Sequence, residues 1–223
     1  MSDPTKNEKD FLFDSHSLSE LKKKFILPRK KGDRQHQSYP DSLAAILNLA
    51  VEHGFDPYSQ RALDLGSGIG YVTAALASSG CRTYGIEFSQ EAIDIAIRTS
   101  APLELSHQPQ FIKGDYLKPE IEQRLFSDGT TYQEMDLFYC FVYNPKHAIT
   151  TILRAFAAPS RAKEGALIAL TGFYPASESD FFEILGIKPL FLEQGTPYSL
   201  FRKDEQRKIP PKIELKYNYQ ESL

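Results

Sequence analysis

The chain has 223 residues, of which 41% are hydrophobic; that is enough for one compact domain with a sizeable core, and no second domain is expected. A formal net charge of −3 is too near neutral to argue for nucleic acid by bulk electrostatics. The sequence has no signal-peptide core, no apolar run of transmembrane length and no cysteine or histidine cluster at zinc spacing, so a soluble, cytoplasmic protein with no membrane partner and no metal is expected.

Residues 1–38 read as a basic extension. A short helix is expected from Ser17 to Phe25, with a Ser17/Glu20 capping box and Leu18, Leu21 and Phe25 on one face. The run Lys22-Lys23-Lys24, Arg29-Lys30-Lys31 and Arg34 could meet a polyanion, but Pro28, Gly32 and Asp33 interrupt it. A solvated, partly mobile arm is expected, and nucleic acid is not favoured as a partner. Tyr39-Pro40-Asp41 then opens a second helix through Leu43, Ile46, Leu47 and Ala50, ended at Gly54.

Arg61-Ala62-Leu63-Asp64-Leu65 is short and apolar, like a strand buried on both faces. It runs into Gly66-Ser67-Gly68-Ile69-Gly70, after which Tyr71, Val72, Ala74, Ala75 and Leu76 continue as a helix to the Gly80 stop. Glycines at a strand-to-helix turn let the main chain take positive φ and approach a ligand closely. The free N–H groups of the helix start suit an anion. A dinucleotide fingerprint would need its third glycine at position 71, which is tyrosine. Asp64 ahead of the loop can engage an ammonium directly or through water, which suits an amino-acid moiety better than a pyrophosphate.

A second strand, Cys81 to Ile86, ends in Glu87 and is followed by the helix start Ser89-Gln90-Glu91-Ala92. A carboxylate at that strand end can accept from both hydroxyls of a ribose, each charged bond contributing about 1.5 to 3 kcal/mol. A third strand, Pro109 to Lys113, leads into Gly114-Asp115-Tyr116. Asp115 could accept from the exocyclic amine of adenine while Tyr116, Ile69 or Phe88 supplies an apolar or stacking wall. Cys81 and Cys140 fall inside apolar strand patterns and are expected as buried thiols rather than a disulfide.

The fourth strand, Leu137 to Val142, ends in Tyr143-Asn144-Pro145-Lys146-His147. Asn144 before Pro145 is also a good helix cap and first helical residue. His147, in the first turn after the strand, is the best-placed candidate base, because an unperturbed imidazole titrates near neutrality. Gly165 to Thr171 reads as a fifth strand followed by Gly172-Phe173-Tyr174-Pro175, and a helix runs through Phe181, Phe182, Ile184 and Leu185. Lys188 to Glu193 and Tyr198 to Arg202 form a terminal strand pair around Gly195-Thr196-Pro197. The domain is expected over residues 39–203, with a polar tail over 204–223.

The run from Arg61 to about Tyr143 resembles the class I, seven-strand methyltransferases that use S-adenosylmethionine (SAM). Asp64 to Gly70, Gly85-Ile86-Glu87 and Gly114-Asp115-Tyr116 carry that resemblance. Together with Phe141-Val142-Tyr143-Asn144, these motifs are also similar to the lysine methyltransferases that lack a SET domain. The resemblance implies an α/β three-layer sandwich with a mostly parallel seven-strand sheet, in the order 3-2-1-4-5-7-6, the last strand antiparallel. It implies SAM as cofactor, held by Asp64, Gly66, Ser67, Gly68, Ile69, Gly70, Glu87, Phe88, Asp115 and Tyr116. Substrate contacts are implied after the fourth strand, where Tyr143, Asn144 and His147 stand as candidate catalytic residues, and Tyr39, Tyr143, Asn144 and Tyr174 are expected around the acceptor by position. Enzymes acting on base amino groups often carry Asn-Pro-Pro-aromatic at that point, and Asn-Pro-Lys-His here speaks against base N-methylation.

The expected activity is methyl transfer to a nitrogen or oxygen nucleophile of an acceptor, a protein lysine or a small molecule. A SAM-binding scaffold without catalysis, docking a partner through the basic arm, is the alternative from another class, and a dehydrogenase a distant third.

Overall fold

The computed structural model describes residues 12–25, 39–142, 162–172, 187–191 and 196–203. In chain order, the helices are α1 (Ser15–Lys24), α2 (Pro40–Glu52), α3 (Tyr71–Ser78) and α4 (Gln90–Ser100). The strands are β1 (Arg61–Leu65), β2 (Arg82–Glu87), β3 (Gln110–Lys113), β4 (Leu137–Phe141), β5 (Leu167–Thr171), β6 (Ile187–Phe191) and β7 (Tyr198–Lys203). The helix expected through Phe181 to Leu185 lies outside the described residues.

The strands form one sheet in the order β3-β2-β1-β4-β5-β7-β6. β1 through β5 are mutually parallel, and β7 runs antiparallel to both β5 and β6. The resemblance implied this order and this reversal. The chain builds outward from β1 through β2 to β3, then returns to place β4 on the other side of β1. That reversal opens a crevice beyond the carboxyl ends of β1 and β4, where open α/β sheets hold their ligands.

Side-chain alternation divides the core between the two faces. Leu63, Leu65, Tyr84, Ile86, Phe138, Cys140, Ile168 and Leu170 point to one side, where Ile121, Phe126, Tyr132 and Met135 cover them. Ala62, Leu137, Tyr139, Leu167 and Ala169 point to the other, against Leu43, Ile46 and Leu47 of α2 and Ala74, Ala75 and Leu76 of α3. Such double-sided burial explains why the central strands read as continuous apolar runs. Cys81 and Cys140 are both buried and free, and burial pushes each thiol up to about 12.

The N-terminal helix departs from the sequence expectation. Asp14, not Ser17, caps it: Asp14 Oδ1 accepts from the Ser17 N–H at 2.8 Å. Aspartate caps as well as serine does, and the earlier cap adds most of a turn. Glu20 consequently pairs with Lys23 rather than closing a capping box. Phe13 and Leu18, at the two positions of a hydrophobic staple, are buried with Phe25 in the α2–α3 side of the core. Asn48 of α2 fixes the entry by accepting from the Phe13 N–H (3.1 Å) and donating to its carbonyl (2.7 Å). Residues 13–25 are thus built into the domain, and the expectation of a solvated arm fails for this part. Arg29, Lys30, Lys31 and Arg34 lie outside the described residues.

Candidate functional site

The glycine loop leaves β1 tied to its neighbour: the Gly66 and Ser67 N–H groups both donate to the Ile86 carbonyl, at 2.9 and 3.0 Å. Gly66, Gly68 and Gly70 all hold positive φ (74°, 53° and 83°), where a side chain is strained. Their tasks nonetheless differ. A Cβ on Gly70 would stand 2.8 Å from Ala96 Cβ and 3.0 Å from Phe111 Cζ, so this glycine lets α3 start against α4 and β3. A Cβ on Gly66 would meet Tyr116 Cε1 at 3.4 Å, while one on Gly68 would meet nothing within 4 Å. Gly68 therefore borders open space beside the crevice.

Two carboxylates flank the loop. Asp64, on β1, is only 3% exposed and accepts from Thr73 Oγ1 of α3 at 2.8 Å. Burial pushes its carboxyl up to about 7, with the nearby Glu87 charge adding to the rise and Thr73 opposing it. Glu87, at the end of β2 and 6% exposed, takes the Gly68 N–H on Oε2 and the Ser89 N–H on Oε1, each at 2.9 Å. One main-chain donor per oxygen fixes the carboxylate and leaves each oxygen further lone pairs for a ligand. Among the described residues no cation pairs with either acid.

The Gly114 N–H donates to the Glu87 carbonyl (2.9 Å), which brings the turn after β3 beside the end of β2. Asp115 is exposed, its Oδ1 accepting from the Leu117 N–H at 2.9 Å in a local turn. Tyr116 is half-buried, its ring beside Gly66 and its hydroxyl 4.0 Å from Cys140 Sγ. Phe88 is 75% exposed. Ile69 is buried and packs with the helix-side core. Of the three expected walls, Tyr116 and Phe88 have surface to offer.

Sequence reasoning passed over Thr73 and the packing role of Gly85. Thr73 holds Asp64; its signal was a polar residue in the otherwise apolar buried run of α3. Gly85 matters because a Cβ there would stand 2.6 Å from Phe111 Cδ1 and 2.7 Å from Ser67 Oγ, a collision set by β3 and invisible locally. Ser67 Oγ is itself buried and without a hydrogen-bond partner. Tyr143, Asn144 and His147, expected around the acceptor, lie outside the described residues, as does Tyr174. A cavity of about 350 Å³ opens at the opposite, amino edge of the sheet, lined by His53, Gln60, Asp136, Lys163 and Arg202. It is remote from the glycine loop and takes no part in this site.

The residues present fit SAM. Among the described residues, the loop leaves open space at Gly68, two fixed carboxylates stand without counter-cations, and the buried Ser67 hydroxyl lacks a partner. Residues 62–158 match a family model described as a methyltransferase domain. No curated protein sequence matches the chain significantly. Among solved structures, an RNA methyltransferase from Salinibacter ruber, in complex with S-adenosyl-L-homocysteine, is 18% identical, with a TM-score of 0.54 over 84% of this chain and 99% of that one. A ribosomal protein L11 methylase from Lactobacillus delbrueckii subsp. bulgaricus is 13% identical, with a TM-score of 0.57 over 76% of this chain and 81% of that one. A SAM-dependent methyltransferase from Clostridium acetobutylicum is 16% identical, with a TM-score of 0.55 over 76% and 94%. With a methyltransferase-domain match over residues 62–158, the sheet order β3-β2-β1-β4-β5-β7-β6 gives the chain the fold of the class I, seven-strand methyltransferases.

Proposed function

We propose that SAM lies across the carboxyl ends of β1 and β2, with its methionine moiety over Gly66, Ser67, Gly68 and Gly70. Its ammonium faces Asp64, its ribose hydroxyls bond to Glu87, and its adenine sits by Asp115 between Tyr116 and Phe88. The observation that carries this placement is Glu87, buried at the strand end and held by the Gly68 N–H of the glycine loop itself. Binding would supply the positive charge that Asp64 lacks in the free protein.

The cofactor supplies a methyl group activated on a sulfonium, with a neutral thioether as leaving group. The protein's share is therefore to align the acceptor and exclude water. We assign this positioning to Tyr143 and Asn144, with His147 as the candidate proton acceptor when the nucleophile loses its proton. The acceptor offers nitrogen or oxygen, and a protein lysine or a small molecule is the reading favoured here. The near-neutral chain and the Asn144-Pro145-Lys146-His147 sequence speak against a nucleobase. The similarity of the fold to RNA methyltransferases makes RNA the reading to test against.

Incubation with methyl-labelled SAM and a cell extract, followed by separate nuclease and protease digestion, decides the class. Label in protein or in the small-molecule fraction supports the proposal. Label released by nuclease alone moves the acceptor to RNA. Transfer no greater than that of a Gly68→Val control, from protein that binds S-adenosylhomocysteine, overturns catalysis in favour of a binding scaffold.

A further inference from the structure

Tyr71, the residue that breaks a dinucleotide fingerprint, anchors α1. Its hydroxyl donates to the Leu18 carbonyl at 3.1 Å, and its ring lies 6.3 Å from that of Phe25 at 57°. Tyr71 is also the first residue of α3, immediately after Gly70, so α1 is clamped to the start of the helix that leaves the glycine loop. The last turn of α1 carries Lys22, whose Nζ lies 5.5 Å from the Tyr39 ring centroid and 5.8 Å from that of Tyr71. Aromatic faces at that distance attract an ammonium and hold it in place.

The direction of α2 shows where this ammonium sits. His53, just past the end of α2, accepts through its carbonyl from Arg202 at 2.7 Å, and Arg202 pairs with Leu167 at the start of β5. The C-terminal end of α2 therefore lies at the amino edge of the sheet. Thirteen residues of helix span about 20 Å, which carries Tyr39 to the opposite edge, the one bearing the glycine loop. Exposed Tyr39 thus stands at the crevice edge, with Lys22 between its ring and that of the buried Tyr71. Burial lowers the pKa of the Lys22 ammonium, and a neighbouring anion would favour its charged form.

We propose that Lys22 is a cofactor-positioning residue that binds the carboxylate of the methionine moiety, completing from α1 an anion site begun by the start of α3. The assignment rests on the SAM placement proposed above. It gives the N-terminal helix a functional reason for its packing: α1 delivers a cation that the glycine loop, made of small residues, does not contain. Asp64 on one side and Lys22 on the other then match the two charges of an amino acid.

Calorimetric titration with S-adenosylhomocysteine and with its decarboxylated analogue tests this directly, because the two ligands differ only in the carboxylate. Lys22→Met keeps the apolar stem and removes the charge. It is expected to weaken S-adenosylhomocysteine binding roughly tenfold and to leave the analogue's affinity unchanged. Lys22→Arg should restore the discrimination, while Lys24→Met, which removes an equal charge from the exposed side of the same turn, should not affect either ligand. Unchanged S-adenosylhomocysteine affinity in Lys22→Met, or equal losses for the two ligands, would overturn the assignment, the second pointing to a packing role. Failure of the wild-type protein to bind either ligand would instead overturn the SAM placement itself.

Discussion

The two edges of the central sheet treat charge in opposite ways. At the amino edge the two acids just ahead of β4, Glu134 and Asp136, have charged or main-chain partners close by. Lys163 Nζ lies 2.6 Å from Asp136 Oδ1, Asp136 Oδ2 takes the Arg61 N–H at 2.9 Å, and Arg61 lies 3.9 Å from Glu134. At the carboxyl edge, Asp64 and Glu87 are more deeply buried and, among the described residues, are met by Thr73 and by main-chain N–H groups. An amino-edge pair satisfies itself and contributes modestly to stability. On the placement proposed above, the carboxyl-edge pair meets the ammonium and ribose of the ligand, and burial raises Asp64 to about 7 until that ammonium arrives.

Mutations at the two edges should therefore separate binding from stability. The largest loss is expected for Gly68→Val, whose side chain would enter the open space beside the crevice from a backbone at φ 53°. S-adenosylhomocysteine affinity, measured by calorimetry, should fall by on the order of a hundredfold or more, and the backbone strain should cost about 1 to 2 kcal/mol of folding stability. Glu87→Ala comes next, weakening the same ligand by about 1 to 3 kcal/mol in a protein that still folds. Unchanged affinity there would remove Glu87 as the ribose acceptor.

The pH dependence is smaller and has a definite sign. Because the folded Asp64 pKa is raised from 3.8 to about 7, the free protein keeps a proton that the unfolded chain has lost. Through this group, stability falls as pH rises across that window. A bound ammonium favours the carboxylate, so it weakens this trend for the complex. Affinity for S-adenosylhomocysteine should be several-fold higher at about pH 7 than at about pH 6, below the range where the ligand's own amine titrates. An equal or weaker affinity at the higher pH would mean that Asp64 does not face the ammonium. Smallest of all in binding terms is Asp136→Ala at the amino edge. It should lower the melting temperature by a few degrees, by orphaning the Arg61 N–H and breaking the Lys163 pair, with ligand affinity unchanged.

Whatever local chemistry dictates was legible in the sequence. β1, the loop, α3 and β2 each follow from residue types whose roles are settled within a few positions: a doubly buried strand, glycines at positive φ, a helix stop and a serine cap at Ser89. The strand order came with the resemblance, since no spacing within the chain states which strand lies beside which. The built-in role of α1 was not legible. Phe13, Leu18 and Phe25 are too sparse to distinguish an amphipathic arm from a packed helix until α2 and Tyr71 are in place. Thr73 escaped notice for the same reason, its partner lying nine residues back on another element.

A crystal structure with S-adenosylhomocysteine tests the central claim most directly. The account predicts both ribose hydroxyls within hydrogen-bonding distance of the Glu87 carboxylate and the amino-acid end of the ligand over Gly66 to Gly70. A ligand seated elsewhere, with side chains filling the space beside Gly68, would contradict it.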